Sequence, residues 1–545
     1  MEFVLTKTNR PGGIGDGSWA SWRHVALLVA GFAALYVSTR SSILIGDGLA
    51  FVATARGGDP AHFQFANFNH FLQVPLARAV WQMLGRIGLT VPPEYVFVGI
   101  SLIGTLAAMI FLGLIAAKIL GTPVAGWVAA LLFGTSLHSW TQWNGEQYGL
   151  ALAFVTSGLL LALRGRVVAP AVLWMLSVLA HAEFTLAAPA FALGAWMARP
   201  QRPRGERLRS AFFLMVAAGL LTLACLLLGT WALGKWTSTA SLVAWVRHVL
   251  TIDRMSTVQS PEVTRAIKGL VTAFTVAGHY WRDILTGRSA FSHAGFLAAS
   301  IVGSVVLCLT GILVAFAVPQ RRLFVFALTW LVPFHVVVNW WWIPTVEKYH
   351  AGALPGFVLL VTGGLLFLSS KLPARRGAAL CIGFVLTCAA LNLFGAVLPM
   401  QALGRDTEQA TRQVRRLNAG YGGRVVLVTC DGGNVPAVVD ADVEYLRIRS
   451  IWKGSVAEIQ DAIRSWTRAR VAEGKVPHVL DRWCYPEEWG TSWSKKPFDQ
   501  FFLGGQYRLT PTSVTSVPLA QPSTTDPFTW RRGDIVRLDP AGGSQ

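Results

Sequence analysis

Long apolar runs, separated by short polar stretches, fill the chain from Trp22 to Leu398. A helix of about 20 residues crosses the roughly 30 Å hydrocarbon of a bilayer. The runs predict about eleven spans, at 22–38, 96–117, 123–138, 148–164, 169–181, 184–198, 210–234, 294–318, 322–340, 352–369 and 376–398. The fifth and sixth are short and meet at His181-Ala182-Glu183, so they read as two crossings or as one broken, re-entrant pair. In the stretch 235–293 the apolar residues recur at helical spacing among aromatic and basic ones (Trp245, Arg247, His248, Tyr280, Trp281, Arg282), the pattern of amphipathic helices lying along a membrane. After Pro399 the apolar runs shorten to strand length. There Arg424–Cys430, Val443–Ser450 and Val476–Leu480 read as strands, and Val456–Glu473 as a helix capped by Ser455. The fold class is therefore mainly α, a multi-pass membrane domain over 1–399 followed by a small soluble α/β domain over 400–545.

Composition agrees: 53% of the 545 residues are hydrophobic and 14% charged, too few charges to clothe a soluble surface. A net charge of +19 invites a nucleic-acid reading, but the cations sit in short loops at alternate ends of the spans, which reports topology and not nucleic acid. Arg199, Arg202, Arg204, Arg207 and Arg209 fill one loop, Arg321 and Arg322 another, Lys371, Arg375 and Arg376 a third, while Lys7, Arg10 and Arg23 precede the first span. Consecutive counting puts all of them on one side, which the positive-inside rule makes cytoplasmic. The expected location is a cytoplasmic (inner) membrane, with the N-terminus inside and the C-terminal domain in the periplasm or its equivalent. A signal-peptide reading of the first span, cleaved near Ala53-Thr54-Ala55, leaves too long and too polar a stretch before that point. Cys225, Cys308, Cys381 and Cys388 lie in apolar segments as small hydrophobes, whereas Cys430 and Cys484 could pair in an oxidising compartment.

Chemistry is expected at the outer rim. Asp47 stands just beyond the first span in Gly46-Asp47-Gly48, and Glu146 beyond the third in Trp143-Asn144-Gly145-Glu146-Gln147-Tyr148. Carboxylates at a hydrocarbon boundary are costly unless hydrated or paired, which makes them functional candidates. The segment Asn67-Phe68-Asn69-His70-Phe71-Leu72-Gln73-Val74-Pro75-Leu76 follows Asp47, and Trp342-Ile343-Pro344-Thr345-Val346-Glu347-Lys348-Tyr349-His350 precedes the tenth span. Together these elements resemble the family C glycosyltransferases (GT-C), in particular the protein O-mannosyltransferase and lipid A aminoarabinose transferase branches. Their pattern is an acid after the first span, a His-Pro segment and an acid plus tyrosine opening the fourth. The sequence departs from it in having one acid where many relatives have a pair, and Phe71 where Pro follows the histidine.

The resemblance implies transfer of a sugar from a polyprenyl-phosphate donor to a lipid, glycan or protein acceptor. Asp47 is the expected general base; Glu146 would orient the acceptor, hold sugar hydroxyls or share a divalent metal with Asp47. No cofactor is otherwise implied. Lys348 and His350, with Tyr349 beside them and Arg282 (or Arg265 and Lys268) as further cations, would stabilise the departing phosphate. His70 and Tyr148 would contact substrate, although His70 among Phe68, Phe71 and Leu72 also reads as a packed residue. His181 and Glu183 would line the cavity or form a helix-end hydrogen-bonded pair. His138 and His335 have no partner visible in the sequence and read as packed. Asp431-Gly432-Gly433 reads as a plain turn. The rival classes are a secondary transporter or flippase, which predicts ionisable groups near mid-membrane, and a noncatalytic membrane scaffold, which gives Asp47 and Glu146 no role.

Overall fold

The computed structural model describes residues 22–41, 71–141, 145, 148–232, 237–241, 243–244, 263–276, 321–341, 350–429, 443–447, 456–480, 483–484, 496–512, 517–520, 530–533 and 535–541. The chain divides into two compact units that part between Leu398 and Pro399.

The first unit is helical: α1 (Trp22–Ser38), α2 (Gln73–Arg86), α3 (Pro93–Leu120), α4 (Pro123–Thr135), α5 (Leu137–Thr141), α6 (Tyr148–Leu163), α7 (Val168–Ala180), α8 (Ala188–Met197), α9 (Arg204–Ala232), α10 (Val263–Phe274), α11 (Arg321–Trp341), α12 (Leu354–Ser370) and α13 (Ala374–Asn392). Among the described residues, four helices are long and apolar enough to cross a membrane, those beginning at Pro93, Arg204, Arg321 and Ala374, and five shorter ones are apolar. The segment expected at 294–318 lies outside the described residues. α2 was not anticipated: it is short and carries Gln73, Arg78, Gln82 and Arg86 among its apolar residues, so no long apolar run betrays it.

Small residues set the packing. α3 starts on Pro93 and stops at Gly121, whose φ of 68° places it in the left-handed region and turns its N–H back to Ala117 O at 2.8 Å. α3 and α6 touch backbone to backbone: a Cβ on Gly104 would lie 2.5 Å from the carbonyl carbon of Gly149. Without hydrocarbon-driven association, such close approach is what holds membrane helices together, and it fixes the start of α6. The Tyr36 hydroxyl donates to Gly134 O at 2.5 Å and the Trp140 indole donates to Thr39 Oγ1 at 2.9 Å, binding α1 to α4 and α5. Asn392, fully buried, donates to Thr135 O (2.7 Å) and Phe274 O (3.0 Å) and accepts from Val276 N (2.8 Å). It thereby ties α4, α13 and the end of α10 together. α10 has one side buried through Leu270, Ala273 and Phe274 while Ile267 is exposed, the amphipathic character read from sequence.

The short pair around His181 runs through the unit and back. α7 leaves Gly165, His181 interrupts the helix with extended backbone, a 3-10 turn covers Ala182–Ala187, and α8 returns until Arg199 donates to Gly165 O at 3.1 Å. Trp174 and Phe191 stack at 5.5 Å between the two helices, and the Trp174 indole donates to Phe184 O at 2.9 Å.

The second unit is α/β. A π-helical turn at Leu393–Val397 precedes α14 (Leu398–Gly420), followed by β1 (Val425–Thr429), β2 (Glu444–Arg447), α15 (Val456–Ala472), β3 (Val476–Leu480), β4 (Trp483–Cys484), β5 (Lys496–Pro497), α16 (Phe498–Leu503), β6 (Tyr507–Pro511), β7 (Val517–Ala520), β8 (Trp530–Gly533) and β9 (Ile535–Pro540). Five strands form a sheet in the order β2-β1-β3-β9-β6, with β1 parallel to β2 and β3 and β9 antiparallel to β3 and β6. Period-two alternation sends Val425 and Leu427 toward Val414 and Leu417 of α14, and Val428 and Val479 toward Ile459 and Ile463 of α15. The three expected strands and the expected helix are all present; α14, charged and outside any apolar run, was not anticipated. On the sheet, burial opposes ionisation of Asp539, but hydrogen bonds from Thr510 (2.6 Å) and Arg537 (2.9 Å) outweigh it and hold the carboxyl below the usual carboxylate range. Cys430 and Ser455 lie outside the described residues; Cys225, Cys381 and Cys388 are free thiols.

Candidate functional site

Polar side chains gather at one end of the first unit. The Gly104–Gly149 contact fixes Tyr148, which opens α6 and is 1% exposed. Its ring lies 4.7 Å from that of His181 and 5.7 Å from that of His138 on α5. His181 is placed by the break between α7 and the 3-10 turn, where its Nδ1 accepts from the Glu183 N–H at 3.4 Å. The Glu183 carboxylate sits 3.6 Å from the same nitrogen and is 4% exposed. Of the two readings the sequence offered, this geometry is that of the helix-end pair.

Gly352 closes the other side. Its backbone N–H faces the Glu183 carboxylate, and a Cβ there would meet Glu183 Oε1 at 2.7 Å and overlap the Phe334 ring. Two residues earlier His350 is fully buried, its ring 5.9 Å from His335 of α11 and within electrostatic range of His138. Phe184 and Phe334, 5.7 Å apart, form an aromatic wall beside Glu183. At the start of α2, buried Gln73 donates to Gly145 O at 3.3 Å, and the Leu72 N–H donates to Leu179 O at 2.9 Å, so this segment is held against the end of α7.

Several buried atoms here, Gln73 Oε1, His138 Nδ1, Glu183 Oε1 and His335 Nδ1, have no hydrogen-bond partner among the described residues. Buried polar atoms are nearly always satisfied, so these four are bonded by groups other than the described residues. Imidazoles, an amide and a carboxylate around aromatic walls suit hydroxyl-rich ligands. Among the described residues no group of three or more His, Cys, Asp or Glu is gathered as a metal would need.

Of the residues singled out in the sequence, Tyr148, His181, Glu183 and His350 come together. Asp47, His70, Glu146, Arg282, Lys348 and Tyr349 lie outside the described residues, and for Arg265 and Lys268 only the backbone, in α10, is described. His138 and His335, read as packed from the sequence, lie beside this cluster, as do Gln73 and Gly352, to which the sequence assigns no role. For the histidines the signal was present, since an ionisable side chain in an apolar helix is a functional candidate by default.

No protein-family model and no curated protein sequence matches the chain. Solved structures do. ArnT from Cupriavidus metallidurans bound to undecaprenyl phosphate superposes with a TM-score of 0.54 at 12% identity, over 96% of this chain and 100% of ArnT. The apo state of the same protein gives 0.55 at 10% identity, over 95% and 97%. The archaeal oligosaccharyltransferase AglB from Archaeoglobus fulgidus, at 12% identity over 96% of this chain and 77% of that one, reaches only 0.46, too low to argue a shared fold. The chain has the fold of ArnT, a GT-C aminoarabinose transferase, along essentially its whole length.

Proposed function

We propose that this protein is an integral membrane glycosyltransferase that moves a sugar from a polyprenyl-phosphate donor to a hydroxyl of a lipid, glycan or protein acceptor, at the outer face of a cytoplasmic membrane. The observation that carries the reading is the end-to-end likeness to ArnT, whose structure holds undecaprenyl phosphate. The buried Tyr148–His181–Glu183–His350 cluster supports it, because Glu146 stands two residues before Tyr148 and Lys348 two before His350.

In the proposed reaction the acceptor oxygen attacks the anomeric carbon with inversion. The bond to the lipid phosphate breaks, and the electron pair leaves on that phosphate. Asp47 takes the acceptor proton. A phosphate leaving group needs charge stabilisation more than a proton, a task for Lys348 and His350 with Arg282 assisting. Glu146 and Glu183 hold hydroxyl groups, Tyr148 and His181 offer an aromatic face and hydrogen bonds, and His70 contacts the donor. The second unit assists acceptor binding. The spans number about eleven in this reading, which places the basic loops in the cytoplasm.

The test is transfer of labelled sugar from polyprenyl-phosphate donors by the purified full chain, wild type against Asp47→Asn and Glu146→Gln. The expected outcome is a loss of 10²-fold or more for Asp47→Asn and a smaller loss for Glu146→Gln. Undiminished transfer by Asp47→Asn removes the base; flux of substrate into liposomes without transfer replaces the enzyme by a transporter.

A further inference from the structure

At the opposite end of α6 and α7 from the histidine cluster, Gly165, Arg166, Arg199, Arg202 and Arg207 line a small cleft. Four arginines lining one cleft give it a positive field that attracts anions. Among the described residues Glu206 is the carboxylate engaged here, and it is bound by Arg202 at 3.2 Å. Two of the arginines are held by directed contacts. Gly165, at φ 75°, leaves room that a Cβ would close, since that atom would lie 2.7 Å from Arg199 Nε; Arg199 Nη2 donates to Gly165 O at 3.1 Å. Arg207 Nε donates to Trp196 O at 2.7 Å while its guanidinium lies 3.7 Å from the Trp196 ring centre. Only one nitrogen of each fork is used by these bonds. The remaining donors suit a phosphate oxygen, which arginine forks match in geometry.

The surroundings say which phosphate. α9 rises from this cleft with only 17% of its apolar window buried, and Leu208, Phe212 and Phe213 are all more than half exposed. An apolar helix face that is uncovered in a membrane protein is an acyl-chain surface, and here it begins within one turn of Arg207. We propose that the cleft binds the phosphodiester headgroup of an anionic phospholipid, with its chains along α9. Basic pockets between membrane helices take such headgroups.

The experiment is native mass spectrometry of the detergent-purified full chain with phosphatidylglycerol, phosphatidylcholine or soluble glycerol 3-phosphate added. Wild type is expected to retain phosphatidylglycerol in preference to phosphatidylcholine. Arg166→Gln/Arg199→Gln should weaken that retention about tenfold or more, Arg166→Lys/Arg199→Lys partly restore it, and Arg375→Gln/Arg376→Gln, in another basic loop, leave it unchanged. Equal retention of both lipids, or an equal loss in the Arg375/Arg376 variant, overturns the site. Displacement of lipid by glycerol 3-phosphate at equal concentration overturns the lipid assignment in favour of a soluble anion. Unchanged thermal midpoints across the variants separate lost binding from lost folding.

Discussion

The two ends of α6 and α7 are built on opposite terms. At the His181 end the polar groups are buried and bonded sparingly: Glu183 and Tyr148 are 4% and 1% exposed, and Glu183 Oε1 and His138 Nδ1 lack a partner among the described residues. At the Arg199 end the polar groups are exposed and bonded to backbone carbonyls or to Glu206. In a folded protein a buried polar atom left without a bond costs about 1–3 kcal/mol, whereas an exposed ion pair gains less than about 1. On the proposed function, the first end is a binding site that gives up stability in this way. In the proposed reading the second end spends little, and its charge marks the cytoplasmic side and holds an anion.

The sharpest way to break that contrast is Gly352→Ala. The added methyl overlaps the Phe334 ring and crowds Glu183 Oε1, so either ring or carboxylate must move; overpacking of this kind costs about 1–3 kcal/mol. The thermal midpoint should fall and sugar transfer should drop more than a hundredfold, since misplacement by an ångström in an active site has effects of that order. Transfer within threefold of wild type would remove the pocket from Gly352 and Glu183. Glu183→Gln comes next. Glutamine keeps a carbonyl for the Gly352 N–H but puts an amide NH2 where the second carboxyl oxygen lies 3.6 Å from His181 Nδ1, and a buried polar atom left without its bond costs about 1–3 kcal/mol. Transfer should fall roughly tenfold to a hundredfold while the midpoint stays near wild type; a lower midpoint with unchanged kinetics would make Glu183 a structural residue.

Most of the helices were legible because apolar runs must be buried or face lipid, and run length alone marks them. The misses follow from the same logic. α2 and α14 have too many polar residues for a hydrocarbon signal, and α14 starts where the change in composition looked only like a boundary. Within the site, His181 and Glu183 were legible because they interrupt an apolar pattern side by side. His138 and His335 interrupt it singly, and what brings them to the cluster is their distance to Tyr148 and His350, set by helices far apart in sequence. Gly352 is invisible for a different reason: its importance is the absence of an atom where Phe334 and Glu183 approach.

The smallest expected effect lies at the arginine end, where Arg202→Ala tests the other half of the contrast. Arg202 Nη1 meets Glu206 Oε2 at 3.2 Å in an i,i+4 pair, but the two side chains are 49% and 51% exposed. Water and salt screen such a pair, and holding two long side chains in one geometry cancels much of the attraction, leaving about 0.3–0.5 kcal/mol. In detergent without added lipid the thermal midpoint of Arg202→Ala should match wild type within error, and raising the salt to about 1 M, where screening acts over roughly 3 Å, should leave even that difference undetectable. A destabilisation above about 1 kcal/mol would mean that this end, too, is held together by its charges, and the division of labour between the two ends would fail.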